Sequence, residues 1–221
     1  NTTMSRDTDR LIEQLALQAV PVRPLASPVQ RTLGWLAASM AVVAVLAAML
    51  GWRGGMPEDM AVPGGGLAWW GSLLTGIVAA HAVFQVSVPG RSPGWAWLSL
   101  LPALAWFGGM GWGCLAEARA GTLAFGLESW HCGLMITLVS TPMLLVMLLL
   151  VRHAGVLRPM PTAALAVLSA AGLSSAAVSL VHGQESAALT LAWHGGAVLL
   201  LCALAWLSGR PLLAWIGYAR R

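Results

Sequence analysis

Six long apolar runs, none of which contains an Asp, Glu or Arg, constrain this chain more than any other feature. They occupy residues 32–51, 67–88, 95–115, 131–151, 161–181 and 190–209. A run of about 20 apolar residues matches the hydrocarbon thickness of a bilayer when helical. One charge at the centre of such a helix costs roughly 2.5–3.5 kcal/mol, more than several Leu or Val residues return, so six uncharged runs predict six spans. The connections between them are short and carry Gly, Pro or charge. Of the 221 residues, 58% are hydrophobic and only 9% are charged, against about 25% charged in soluble domains. The apolar surplus therefore faces lipid. The expected fold is all-α: a polytopic bundle of six transmembrane helices, residues 32–209, between an N-terminal segment, residues 1–31, and a short tail, residues 210–221.

Placement of the arginines sets the expected orientation. With the N-terminus inside, ten of the twelve Arg lie on the cytoplasmic side, leaving Arg53 and Arg119 outside with five of the eight acids. The positive-inside rule then predicts both termini in the cytoplasm. The net charge of +4 is explained by that bias, so no direct nucleic-acid binding is expected. Eleven of the twelve Trp fall near span ends or in adjoining loops, as an aromatic belt does, with Trp106 the exception. Span five is almost entirely small residues from Ser169 to Ser179, which predicts an interior position. Gly109 and Gly113 form a GxxxG pair in span three, and Pro102 and Pro142 are candidate kinks. No internal repeat is visible, and no signal peptide is expected, since some thirty mixed residues precede the first span.

Within the N-terminal segment, Thr8 or Asp9 could cap a short helix with Leu11, Ile12, Leu15 and Ala19 along one face. Pro21, Pro24 and Pro28 would end it and form an extended tether. Such a helix either rests on the membrane or is presented to a soluble protein. It lacks a dense basic face for anionic lipid, which favours the protein partner.

The predicted topology also brings thiols and imidazoles to one level outside. Cys114 ends span three, Cys132 and His131 begin span four, His182 ends span five, and His194 lies near the outer end of span six. Cys114 and Cys132 could form a disulfide if their Cα atoms lie within about 7 Å, or with His131, His182 and His194 hold a soft or borderline metal ion. The bland alternative is a set of interface side chains with ordinary hydrogen bonds. Cys202 fits an apolar packing role, and His81 is intramembrane with no ionisable partner in sight. Ser174 and Ser175 with His194 match intramembrane serine proteases poorly, because the Gly expected after the Ser is missing. A quinone-coupled thiol oxidase needs a C-x-x-C type pair and four Cys; three are present. The chain is expected to be no enzyme and to require no cofactor.

Several segments together resemble the NrsF-type family, bacterial negative regulators of sigma F. They are Asp9-Arg-Leu-Ile12, Leu15-Ala16, Pro21-Val-Arg-Pro24, Val88-Pro-Gly-Arg91, Gly113-Cys-Leu115, Ser129-Trp-His-Cys132 and Trp193-His-Gly-Gly196. The resemblance implies an anti-sigma factor of the bacterial inner membrane that holds an extracytoplasmic-function sigma factor on the cytoplasmic side. It places heavy-metal or oxidant sensing on Cys114 and Cys132, and sigma-factor binding on the N-terminal helix with Asp9, Leu11, Ile12 and Leu15. The competing expectation is a small metal-ion-binding transporter or membrane protein that uses the same Cys/His cluster.

Overall fold

The computed structural model describes residues 2–18, 24–51, 56–124, 126, 130–152, 154–181 and 186–216, without the side chains of residues 2–7, 56, 57 and 132. The described residues are all-helical apart from turns and connections: α1 (Thr2–Leu17), α2 (Pro28–Leu50), α3 (Met56–Ala61), α4 (Gly65–Val86), α5 (Trp95–Leu98), α6 (Leu100–Ala120), α7 (Trp130–Val151), α8 (Pro159–Val178), α9 (Ala187–Thr190), a π turn (Leu191–Gly195) and α10 (Gly196–Ile216). Six of the resulting segments are long and apolar enough to cross a membrane, the last running from Ala187 through the π turn to Ile216. The chain is a multi-pass membrane protein.

Local chemistry fixes the helix ends. Ser27 Oγ accepts the Gln30 N–H at 3.2 Å while Gln30 Oε1 accepts the Ser27 N–H at 3.0 Å, a reciprocal cap that starts α2. Pro28 is therefore the first residue of α2, where its missing N–H costs nothing, and is not part of the tether. Thr8 and Asp9 likewise sit inside α1, which begins at Thr2, so neither caps it. The last span overruns its expected end at Gly209. Pro211 lies inside α10, as proline can in a membrane-spanning helix. Pro142 is inside α7, whereas Pro102 falls in the first turn of α6.

α8 forms the centre, packed by α4, α7 and α10, with α6 on the far side of α4 and α2 against α4 and α7. The small-residue stretch is buried as expected. A Cβ on Gly172 would lie 2.7 Å from the Ser72 carbonyl oxygen, so only glycine permits this approach of α8 to α4. Ser169 Oγ donates across the same contact to the Gly76 carbonyl at 2.7 Å. Close van der Waals approach and such bonds drive association in lipid, where burial alone offers little. The main core lies among α2, α4, α7 and α8. Trp35 belongs to it: the indole is fully buried and donates to the Met143 carbonyl, so this Trp is not part of the aromatic belt.

Candidate functional site

At one end of the bundle, α6 delivers Cys114 and α7 delivers His131 and Cys132. Cys114 carries a free, half-buried thiol. His131 is exposed and stacks on Trp130, ring centroids 4.1 Å apart. The Cys132 side chain and all of His182 lie outside the described residues. Among the described residues, no three His, Cys, Asp or Glu side chains gather closely enough to hold a metal ion.

Helices α6 and α7 share no extended interface; each instead packs against the π turn at the start of span six. On α7, Gly133 approaches the Trp193 carbonyl, where an added Cβ would lie 3.4 Å away. His194 sits within the turn and is half-buried. π turns recur at functional sites because the extra residue redirects a side chain. The two Cys-bearing helices thus both contact the start of span six.

Glu117, which the sequence offered only as one of the acids outside, holds that junction. It lies one helical turn after Cys114. One carboxylate oxygen accepts the Ala187 N–H at 2.6 Å; the other accepts the Ser186 hydroxyl at 2.6 Å and the Ala188 N–H at 3.2 Å. These are the otherwise unpaired N–H groups of the α9 N-terminus. Glu117 lies 70 residues before the Ala187 N–H that it accepts, and a cap so distant leaves no signature in sequence, which is why it was not legible.

The opposite end is rich in arginine and holds a buried polar cluster. Arg31, expected as the last residue of the N-terminal segment, is in the first turn of α2 and only 5% exposed. One guanidinium nitrogen donates to the Leu150 carbonyl in the last turn of α7, and the group lies 4.6 Å above the Phe84 ring. Its Nη1 has no hydrogen-bond partner among the described residues, nor does Gln85 Oε1. His81 finds neutral partners. Thr32 Oγ1 spends its single proton on the Pro28 carbonyl at 2.7 Å, so at 3.3 Å it must accept from His81 Nδ1. On the other side of the ring, Nε2 lies 3.0 Å from the Gln85 amide nitrogen. Beyond this cluster, across a tether, α1 presents Leu11, Ile12 and Leu15 exposed, with Asp9 beside them.

Cys202 is partly buried and its thiol contacts the Ala164 carbonyl at 3.8 Å, a packing role in the α8–α10 contact. His153 and Ala19 lie outside the described residues.

The sequence profile of the family described as "Negative regulator of sigma F" matches residues 15–215. The match takes in Leu15, Cys114, His131, Cys132, His182 and His194 but begins after Asp9, Leu11 and Ile12. No curated protein and no solved structure matches the chain. With a match over most of its length and the six-span bundle that carries it, this chain belongs to the NrsF family of negative regulators of sigma F.

Proposed function

We propose that this protein holds an extracytoplasmic-function sigma factor at the bacterial inner membrane, with both termini in the cytoplasm, and releases it when Cys114 and Cys132 are oxidised or capture a heavy-metal ion in the periplasm. One observation carries the reading beyond the family match. Helix α7 has Cys132 in its first turn and accepts the Arg31 hydrogen bond at Leu150 in its last. A single helix thus joins the thiol end to the root of the tether that bears α1.

Two inputs fit the residues. A peroxide would take two electrons and two protons from the thiols, forming the S–S bond and leaving as two waters. A soft cation would displace the thiol protons and bind both thiolates, with His131, His182 and His194 as candidate further ligands. Either closure would shift the α6 and α7 ends against the π turn, and α7 would carry the shift to Arg31. Moving a holding state from about 99% to about 1% takes roughly 5.5 kcal/mol of differential binding, within reach of metal–thiolate bonds. The exposed row Leu11, Ile12 and Leu15 supplies an apolar face for the sigma factor.

Co-purification from cells tests this directly. The sigma factor should be captured by the full chain and lost on deleting residues 4–20. The double variant Cys114→Ser, Cys132→Ser should still capture it but no longer let go under peroxide or cadmium. Unchanged release in that variant would remove sensing from these thiols. Metal uptake into proteoliposomes by the chain alone, with no sigma factor captured, would replace the reading by that of a transporter.

A further inference from the structure

The Cys114 end also contains a cleft that the thiol chemistry does not use. It has a volume of about 170 Å³ and lies between α4, α6, α8 and the α9–π turn segment, with Trp69, Trp106 and Met110 in its mainly apolar wall. A second cleft of about 280 Å³ shares Val62, Pro63, Gly113 and Ala187 with it and continues to Glu117 and Thr122. The inner cleft is therefore not a sealed packing defect but the deeper part of a longer recess.

Its polar groups have a shared bias. Ser72 and Ser179 spend their hydroxyl protons on the Trp69 and Ala176 carbonyls, both at 2.8 Å. Thr190 donates to the Ser186 carbonyl at 3.1 Å, and the Trp69 indole N–H to the Ala176 carbonyl at 3.2 Å. Each hydroxyl oxygen keeps lone pairs after that donation. Ser175 lines the same wall and is only 8% exposed; its carbonyl accepts the Ser179 N–H, while its hydroxyl makes no hydrogen bond among the described residues. The wall thus offers lone pairs at several hydroxyls and, at Ser175, one hydroxyl free both to donate and to accept. His194 reaches it from the π turn.

We propose that this cleft binds a small, ring-sized apolar molecule that carries one hydroxyl, phenol being the simplest member of the class. Size supports a single ring, since an apolar protein cavity of about 150 Å³ accommodates benzene. Two indoles and a thioether suit an aromatic face or edge. The hydroxyl follows from Ser175: a ligand O–H can accept from it or donate to it, whereas an acyl chain leaves Ser175 unpaired. An anion is disfavoured, because no arginine lines either cleft. The proposal is independent of how the protein regulates its partner.

Fluorine NMR of the full-length protein in detergent micelles tests it, with para-fluorophenol and fluorobenzene titrated in parallel and empty micelles as the reference. Para-fluorophenol should bind saturably, be displaced by unlabelled phenol, and bind at least threefold more tightly than fluorobenzene. Ser175→Ala should weaken para-fluorophenol about three- to tenfold, the worth of one hydrogen bond, and leave fluorobenzene unchanged. Partitioning no different from empty micelles, or equal binding of the two compounds to the unmodified protein, overturns the proposal. That second comparison needs no variant, so it decides even if Ser175→Ala fails to fold.

Discussion

At the scale of single residues, two charged groups that sequence alone places outside the spans turn out to hold helices together. Glu117 gathers three donors at the start of span six, and hydrogen bonds to a charged acceptor contribute about 1.5–3 kcal/mol where burial protects them. Its site is only partly buried, so Glu117→Ala should lower stability by about 1–2 kcal/mol in thermal unfolding in micelles. Glu117→Gln, whose amide oxygen still accepts from the backbone, should lose less than half of that. Arg31 presents the opposite case. Its charge is buried with one hydrogen bond and a ring for company, and replacing such a charge by an apolar chain of similar length is often neutral or stabilising. Arg31→Met should therefore fold as well as the parent and still capture the sigma factor. With the α2–α7 tie gone, release under peroxide should be blunted, as measured by the co-purified fraction. A protein that instead unfolds would show that the buried guanidinium is structural.

At the scale of helices, glycine separates packing faces from lipid faces. A Cβ on Gly109 would collide with the α4 backbone at Ala68, while Gly108 and Gly111 on the same helix meet nothing. Gly109→Ala should destabilise the bundle by about 2–4 kcal/mol, since the clash is with main chain that cannot step aside. Gly108→Ala and Gly111→Ala should gain up to about 1 kcal/mol from helix propensity. Comparable effects at all three positions in a denaturation series would mean that α6 does not pack on α4 as described. The GxxxG spacing of Gly109 and Gly113 marked this face in sequence, and both glycines do make close contacts, with α4 and with Pro63 and Ala187. The π turn left no comparable mark. A one-residue insertion in a helix changes neither composition nor the apolar run, so its position beside α6 and α7 emerges only from packing.

At the scale of the whole molecule, the end that carries Cys114 and Cys132 and the arginine-rich end lie on opposite sides of the bundle and are joined by α7. Cys114 and Cys132 were legible as residues at one level, because apolar runs and short connections dictate depth. Their route to the other end was not, because the expected direct contact of spans three and four is replaced by contacts of each with span six. If the double Cys variant keeps its partner under stress as proposed, the signal should run through this junction, and Glu117→Ala should also alter release.

The sequence by itself determined the number of spans, the interior position of span five and the separation of thiols from the N-terminal helix, since each follows from local hydropathy, residue size or chain order. Only the tertiary structure decided that Trp35 is core, that Arg31 and Glu117 bind helices together, and that a cleft lined by Trp69, Trp106 and Ser175 opens beside the π turn. Those outcomes depend on which helix faces meet, and in lipid that choice is made by fine steric fit and paired polar atoms between segments far apart in the chain, to which a one-dimensional pattern of hydropathy is blind.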